Sequence, residues 1–410
     1  MTARLDPAAH PWLDAPETRR VMEALSPGDS DRARNVGGCV RNAIMGRPVD
    51  DVDIATVLQP EETVKALEAA GIKAAPTGLA HGTVTAVADG KPFEVTSLRK
   101  DVETFGRRAV VAFTTDWSED AQRRDFRLNS IYARRDGTLF DPCGGVADAR
   151  AGRVIFIGQP AARIAEDYLR ILRFYRFNAW YGAAIDPDGQ AACARMASRL
   201  RDLSAERVWR ELKKLLAAPD PRAAVKAMQD GNVLEEVLPV RLDFPRLAGI
   251  INADLTTSRE PDALLRLVAL AGREADAVDE IMQAMKASNA EKTRAGAMAA
   301  RAGDPHVRAG QPAGARARAL YALGADAVIA RLRLDEAEGL GVAGDDIAAA
   351  RAWSRPRFPV KGKDLVAAGI APGPELGEIL ARLEAEWIDS AFSLGRAALV
   401  ERARKSLGGG

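Results

Sequence analysis

Gly37, Gly38 and Arg41 are the first residues whose types and spacing suggest chemistry. The two glycines follow a short apolar run and precede a helix-like stretch over residues 40–45. Glycine lets backbone N–H groups approach a phosphate closely, and the amino end of a helix adds a favourable dipole. Arg41, in the first turn of that helix, can pair with phosphate oxygens. A Gly-Gly turn by itself is more often only a turn, so phosphate binding needs support from residues further along the chain.

Asp51 and Asp53 stand on either side of Val52 in a run that predicts a strand over residues 52–57. Alternate residues of a strand face the same side, so the two carboxylates point together, about 7 Å apart. They repel each other unless a cation lies between them, and Mg²⁺ binds carboxylate oxygens together with substrate phosphates. Two-metal phosphoryl transfer uses such a clamp. Asp-x-Asp alone also fits an exposed acidic turn, but with Gly-Gly-x-x-Arg upstream it predicts a Mg²⁺ site.

A third carboxylate commonly completes a site of this kind, and Glu94 is the candidate. It lies in a short predicted strand over residues 93–96, with its side chain on one face. The alternative is a glutamate on the solvated face of that strand. The sequence leaves both interpretations open, so Asp51, Asp53 and Glu94 together are the candidate catalytic residues.

A stretch rich in arginine follows between residues 121 and 180. It contains 11 Arg, no Lys and 6 acidic residues, in a chain whose net charge is only +1. A basic stretch beside a possible active site favours ligands that carry phosphate. Within it, Arg124 and Asp125 offer a cation and a hydrogen-bond acceptor together, which suits a triphosphate and a ribose hydroxyl. The alternative is a charged helix start before a predicted strand over residues 130–134.

Four polar residues spaced three apart continue this stretch in a helix predicted over residues 163–180. Asp167, Arg170, Arg173 and Arg176 would all project from one slowly drifting helix face. An arginine stripe is usually a solvated face. Here an acid leads the stripe, so the pattern is not that of arginines alone.

These blocks resemble the class II tRNA nucleotidyltransferases, or CCA-adding enzymes, and the related bacterial poly(A) polymerases. Both groups belong to the nucleotidyltransferase superfamily that includes DNA polymerase β. The resemblance implies that Arg124, Asp125 and Asn129 select ribose over deoxyribose. It also implies that Asp167 and Arg170 select the base.

The chemistry of base selection agrees with that implication. Asp167 can accept from the exocyclic amine that cytosine and adenine share, and Arg170 can donate to the ring nitrogen beside it. Uracil and guanine present the opposite pattern, so such a pair accepts C and A and rejects U and G. Arg173 and Arg176 would contact the triphosphate or stabilise the surrounding helices.

The resemblance further implies a reaction and its partners. The expected activity is template-independent addition of C, C and A to the 3′ end of tRNA, from CTP and ATP, with Mg²⁺ as cofactor and release of pyrophosphate. Residues 99–118 resemble the mobile loop of the family and look full-length, which favours complete CCA addition over CC-only or A-only addition. A poly(A) polymerase, a partial tRNA nucleotidyltransferase that adds only A or only CC, and a non-catalytic RNA-binding protein remain alternatives. DNA and membranes are not expected partners.

Several further features limit the possibilities. The chain has three His and no His-Asp pair, so the phosphohydrolase domain of some bacterial relatives is not expected. Three Cys without a C-x-x-C spacing, and no signal-like apolar segment, favour a reducing cytoplasm. No apolar run approaches the roughly 18 residues of a membrane span. One departure from the family pattern is Asn42, where the family commonly has Asp.

The distribution of patterns predicts the fold class. Short apolar runs alternate with helical patterns up to about residue 158, and only helical patterns follow. We therefore expect an α/β nucleotidyltransferase head, a mixed sheet with helices, followed by an all-α neck, body and tail. The predicted boundaries are a helical extension over 1–30, the head over 31–158, a neck with the base-selecting residues over 159–230, a body over 231–330 and a tRNA-binding tail over 331–410.

Overall fold

The structure is a computed structural model that describes residues 4–28, 30–78, 82–105 and 108–407. The chain divides into two compact units, Met1–Leu238 and Pro239–Gly410. All named strands of the described residues lie in the first unit, and the second unit is built from helices. The predicted fold class, an α/β head followed by helices, is therefore confirmed, whereas the boundaries of neck, body and tail stay predictions. Across the described ranges, no helix is both long and apolar enough to cross a membrane.

Nine strands are described in the first unit. In chain order they are β1 (Ala33–Val36), β2 (Asp53–Thr56), β3 (Lys73–Gly78), β4 (Thr83–Ala88), β5 (Lys91–Ser97), β6 (Arg99–Phe105), β7 (Arg108–Phe113), β8 (Tyr132–Ala133) and β9 (Leu139–Phe140). Seven of them form one sheet in the order β3-β4-β5-β2-β1-β8-β9, and β6 pairs with β7 separately. The pair β2–β5 is parallel and the other pairs in this sheet are antiparallel, so the sheet is mixed.

Ten α-helices accompany these strands. They are α1 (Pro16–Leu25), α2 (Gly38–Ile44), α3 (Pro60–Ala69), α4 (Trp117–Gln122), α5 (Gly145–Ala151), α6 (Pro160–Glu166), α7 (Leu169–Tyr181), α8 (Pro187–Arg195), α9 (Ala205–Leu216) and α10 (Arg222–Asp230). Local sequence explains where α3 begins, since Gln59 and Glu62 form a reciprocal capping box and Pro60 occupies the first turn. Gly71, at a positive φ of 67°, follows its end.

The centre of the sheet brings the sequence-distant site residues to one end. Because β1 and β2 run antiparallel, the end of β1 at Val36 lies beside the start of β2 at Asp53. Because β5 runs parallel to β2, Glu94 is the register partner of Asp53. All four residues of β1 are buried, so the strand is fixed by packing on both faces. The glycine turn after β1 and the acidic residues therefore share one edge of the sheet.

The expected loop over residues 99–118 is largely regular structure, so that prediction was wrong. Strands β6 and β7 form an antiparallel hairpin, and α4 begins at Trp117. The tip, residues 106–107, lies outside the described residues. β-Branched residues such as Val102, Thr104, Val110 and Val111 favour strands, and the charged residues between them obscured this alternation. The base of the hairpin is fixed, because the N–H of Thr114 donates to the carbonyl of Leu98 at 3.0 Å.

The single helix expected over residues 163–180 is two helices. Helix α6 ends at Glu166 and α7 begins at Leu169, with Asp167 extended between them at φ −154° and ψ 107°. Asp167 therefore does not share a helix face with Arg170, as the three-residue spacing had suggested. Its side chain accepts a hydrogen bond from the N–H of Leu169 at 3.1 Å. This local bond competes with helical pairing and explains the break.

The second unit is helical throughout its described residues. Its helices are α11 (Phe244–Thr256), α12 (Ala263–Leu270), α13 (Ala275–Ala284), α14 (Asn289–Met298), α15 (Ala313–Leu323), α16 (Ala325–Ala337), α17 (Gly344–Ala352), α18 (Gly362–Ala367), α19 (Pro374–Asp389) and α20 (Arg396–Leu407). Helix α11 contains Gly249 in its second turn. A Cβ on Gly249 would lie 2.4 Å from the carbonyl oxygen of Ala337, so glycine there permits the close approach of α11 and α16.

Candidate active site

A polar cavity of about 560 Å³ in the first unit gathers most of the candidate residues. Eleven of the thirteen predicted site residues line it, and Asp51 and Glu94 do not. The eleven are Gly37, Gly38, Arg41, Asp53, Arg124, Asp125, Asn129, Asp167, Arg170, Arg173 and Arg176. Arg123 and Arg207 also line the cavity, so seven guanidinium groups surround one space. Such a wall favours a ligand with several negative charges.

The glycine turn forms one side of this cavity. Gly37 has φ 71° and precedes α2, a backbone conformation that favours glycine. A Cβ on Gly37 would lie 3.7 Å from Nη1 of Arg124 and from the carbonyl oxygen of Asn129. The turn therefore lies directly against Arg124 and Asn129, both predicted to bind the nucleotide.

The acidic residues lie at the edge of the sheet. Asp53 opens β2, and burial together with the neighbouring Glu94 raises the pKa of its carboxyl to about 6. Asp51 is exposed and precedes the strand, so the prediction that both aspartates lie on it was wrong. The alternation nevertheless persists, since Val52 and Ile54 are buried. Among the described residues, no hydrogen bond or ion pair engages the Asp53 carboxylate.

The residues present can bind a divalent cation whose coordination is completed by the substrate. A half-buried carboxylate beside two other acids, with no cationic partner of its own, is stabilised by a bound cation. Within the described ranges, no three His, Cys, Asp or Glu side chains are close enough to hold a metal ion by themselves. A divalent cation bound by one or two of these carboxylates would take its other ligands from substrate phosphates and water.

Arg124 is held by a buried acid that the sequence analysis missed. Asp120, on α4, is 1% exposed and accepts from Arg124 Nη2 at 3.0 Å and from the hydroxyl of Tyr132 at 2.6 Å. Arg123 donates to the other oxygen at 2.8 Å. Although burial opposes the charged form, Arg124 and Arg123 lower the pKa of Asp120 to about 2. The available signal was an acid three and four residues before two arginines on a helix.

Asp125 and Asn129 belong to a second buried network. Asp125 Oδ1 accepts from Asn129 Nδ2 at 3.1 Å, and Oδ2 accepts from Arg173 Nε at 2.7 Å and Nη2 at 2.5 Å. Burial opposes the charge of Asp125, but Arg173 and Asn129 hold its pKa at about 2. Arg41 Nη1 donates to Asn129 Oδ1 at 2.7 Å. Helix α2, the segment over residues 125–129 and α7 are thus joined by continuous hydrogen bonds.

Helix α9 supplies partners to Asp167 and Arg176. Arg207 Nη2 donates to Asp167 Oδ2 at 2.7 Å, and Glu211 Oε2 accepts from Arg176 Nε at 2.5 Å. Arg207 and Glu211 are four residues apart and therefore share a face of α9. Neither was identified from the sequence, because an Arg and a Glu at this spacing also describe an ordinary surface pair.

Arg170 has a partner as well. It pairs with Glu166 of α6, and its Nη1 donates to the carbonyl of Arg163 at 2.7 Å. Its Nη2 reaches the carbonyl of Arg123 at 3.3 Å. The guanidinium thus ties α7 to both α6 and the end of α4, at the wall of the cavity.

These features define a nucleotidyltransferase with an acidic sheet edge and an arginine-walled cavity. Residues 33–155 match the poly A polymerase head domain, and residues 182–243 match the probable RNA and SrmB-binding site of polymerase A. The mitochondrial CCA tRNA nucleotidyltransferase 1 of Danio rerio is 34% identical over 397 residues, which cover 91% of this chain and 87% of the relative. The chain belongs to the family of CCA-adding tRNA nucleotidyltransferases.

Bacterial relatives and solved structures agree. The CCA-adding enzyme of Limosilactobacillus fermentum is 30% identical over 364 residues, with 86% of this chain and 88% of the relative covered. The crystal structure of the Bacillus stearothermophilus CCA-adding enzyme in complex with CTP superposes with a TM-score of 0.75 at 26% identity, covering 96% of this chain and 98% of that one. The likeness extends over both compact units.

Proposed function

We propose that this protein adds C, C and A to the 3′ end of tRNA, using CTP and ATP and releasing pyrophosphate. Membership of the family supports the reaction. The observation that carries the proposal is the cavity in which Asp53 lies beside seven arginines, together with Asp125 and Asp167. The arginines can bind the polyphosphate, and Asp125 and Asp167 can accept hydrogen bonds from the ribose and the base. The partners are therefore tRNA, CTP and ATP.

For catalysis we propose that Asp51 and Asp53 hold Mg²⁺, with Glu94 as a third carboxylate beside them. Bound Mg²⁺ would lower the pKa of the attacking 3′-hydroxyl and steady the leaving phosphate oxygens. Asp53, as register partner of Glu94, sits where the negative charge of the three acids is concentrated. The acids thus bind the cation that brings the two negatively charged substrates together.

For nucleotide binding we propose that Arg41 and Arg124 contact the triphosphate while Asp125 and Asn129 orient the ribose. Asp125 is already bonded to Arg173 and Asn129, so a ribose hydroxyl meets an acceptor whose direction is set before binding. Arg124 is held in the same way by Asp120. Preorganised groups lose little entropy when the nucleotide arrives.

For base selection we propose Asp167 and Arg170. Asp167 accepts from the exocyclic amine of C or A, and the ion pair with Arg207 holds its carboxylate in place. Arg170 donates to the adjacent ring nitrogen, and it gives up part of its contact with Glu166 to make this bond. Arg173 and Arg176 stabilise the pair through Asp125 and Glu211 rather than by reading the base.

The decisive experiment supplies single nucleotides to a tRNA that ends at its discriminator base. CTP alone should add two residues, ATP alone should add none or very few, and both together should complete the end. Long A tracts without C would instead establish a poly(A) polymerase. Addition that stops after CC in the presence of ATP, or that requires a tRNA ending in CC, would establish one of the partial activities.

We also propose the cytoplasm as the compartment. The three cysteines are free, and Cys39 and Cys193 are buried, which suits a reducing environment. The relatives from Danio rerio and Mus musculus are named as mitochondrial proteins, so organelle fractionation in the source cells is the relevant test. Recovery in an organelle fraction would overturn this part of the proposal.

A further inference from the structure

Arg41 differs from the other arginines of the cavity in what surrounds its charge. Its side chain is 6% exposed, yet all its hydrogen-bond acceptors are neutral. Nη1 donates to Asn129 Oδ1 at 2.7 Å and Nη2 to the hydroxyl of Tyr181 at 2.8 Å. Nε and Nη2 donate to Asn42 Oδ1 at 3.2 and 2.9 Å. The guanidinium also stacks on the ring of Tyr181, 3.9 Å from its centroid.

The remaining six guanidinium groups of the cavity each form an ion pair. Their partners are Asp120 for Arg123 and Arg124, Glu166 for Arg170, Asp125 for Arg173, Glu211 for Arg176 and Asp167 for Arg207. Among the described residues that line this space, Arg41 alone has no carboxylate within ion-pair distance. Its positive charge is thus buried without a carboxylate in direct contact.

An uncompensated buried charge is costly unless a ligand supplies the opposite charge. Burial lowers the pKa of Arg41, in line with that cost. The guanidinium gains some stabilisation from the aromatic face of Tyr181. The polyphosphate of a nucleotide carries the missing negative charge. Arg41 is thus the cavity cation whose attraction for phosphate is not already shared with an acid of the protein.

Asn42 is the residue that makes this possible. Its Oδ1 accepts two bonds from Arg41, while its Nδ2 donates to the carbonyl of Pro48 at 2.9 Å. An aspartate of the same shape would accept from Arg41 but would neutralise it, and would have no proton to donate to Pro48. The amide therefore orients Arg41 without cancelling its charge. It also fixes the loop that leads from α2 to Asp51.

We propose that Asn42 is a positioning residue that leaves the charge of Arg41 available to the phosphates of the incoming CTP or ATP and ties the loop before Asp51 in place. This inference rests on the proposed function, because it takes a nucleoside triphosphate as the ligand. It separates two effects of one side chain. The absence of charge on the amide preserves nucleotide affinity, and the donor nitrogen acts on the placement of the catalytic acids.

The test compares Asn42→Asp with Asn42→Ala in the full-length protein. Asn42→Asp should weaken CTP binding, measured by calorimetry with Mg²⁺ and without RNA, by about 5- to 20-fold, the worth of a charge-assisted contact. The loss should shrink when the salt concentration rises from about 0.05 M to about 0.5 M, because salt screens the added charge. Asn42→Ala adds no charge and should keep CTP affinity within about threefold, while kcat falls because the link to Pro48 is lost.

Asn289→Asp, at an exposed position of the second unit, is the matched control for the chemical change and should bind CTP like the parent. The inference is overturned if Asn42→Asp binds CTP within about twofold of the parent at low salt, or if Asn42→Ala loses as much affinity as Asn42→Asp. Should Asn42→Asp fail to fold, retained affinity with lowered kcat in Asn42→Ala supports the inference, and an unchanged kcat overturns it. Failure of the parent itself to extend tRNA would count against the proposed function and not against this contact.

Discussion

Two regions of the site differ in what surrounds their carboxylates. The acidic edge of the sheet comprises Asp51, Asp53 and Glu94, and the arginine wall is the side of the cavity lined by its seven arginines. Asp53 lies beside Glu94, and burial raises its pKa to about 6. Asp120 and Asp125 are more deeply buried, yet the arginines beside them hold the pKa of each at about 2. The first region holds acids without cationic partners in ion-pair distance among the described residues, and the second holds acids that are fully paired.

The contrast indicates that the two regions bind ligands of opposite charge. Acids that repel one another are ready to take up a cation from solution, as expected for a metal-binding edge. Acids that are saturated by arginine cannot do so, but they hold those arginines in fixed positions for an anionic ligand. Arg41 is the exception within the wall, since its acceptors are neutral.

The largest expected effect comes from removing the acidic edge. Asp53→Ala should lower nucleotide incorporation by at least about 10³-fold, since metal-assisted charge stabilisation is worth several kcal/mol. tRNA binding, measured by gel shift, should stay close to that of the parent. The neighbouring exposed Asp50→Ala is the control and should retain activity. An active Asp53→Ala variant would show that the acidic edge is not catalytic.

A smaller effect is expected from weakening the wall. In Asp120→Asn the side chain keeps one acceptor but loses the charge that pairs with Arg124 and Arg123, so KM for CTP and ATP should rise about tenfold while kcat changes less. Steady-state kinetics give this split. Glu119→Gln alters the adjacent acid of α4, which pairs with Lys100 instead, and should leave KM unchanged. A lower melting temperature with unchanged KM would show that Asp120 acts on stability alone.

The smallest effect concerns stability in acid. The pKa of Asp125 falls from 3.8 to about 2 in the folded protein, so its pairing stabilises the fold above about pH 4 and this contribution is lost as the pH falls towards 2. The contribution is on the order of 2 kcal/mol. Denaturant unfolding at pH 3 and pH 6 should show a smaller difference for Asp125→Asn than for the parent. The exposed Asp188→Asn should behave like the parent, and equal pH dependence in all three proteins would contradict the assignment.

Sequence patterns predicted the parts of this molecule that depend on short-range chemistry. The strand predicted over residues 52–57 is found at Asp53–Thr56, and the one predicted over residues 93–96 lies within Lys91–Ser97, because burial and periodicity determine them locally. The glycine turn and Asp53 were placed in one site because residues of these types at this spacing have few other uses. Asp51 was placed on the strand, but it lies just before the first paired residue.

The features that the sequence did not reveal depend on contacts between distant segments. Asp167 looked like the first member of a helical stripe, whereas its bonds to Leu169 and Arg207 remove it from the helix. The roles of Asp120 and Glu211 depend on which arginine each one meets after folding. The pattern of charges indicated an arginine-rich site, but only the structure distinguishes the paired arginines from Arg41.

The most direct measurement of the central claim sequences the products formed on a tRNA ending at its discriminator base, with equal concentrations of all four nucleoside triphosphates and Mg²⁺. If the arginine wall selects the base and the acidic edge performs the transfer, we predict C, C and A in that order, followed by termination. The same reaction with Asp53→Ala should yield no extension. Long A tracts, or U and G at frequencies similar to C and A, would contradict the proposed division between the two regions.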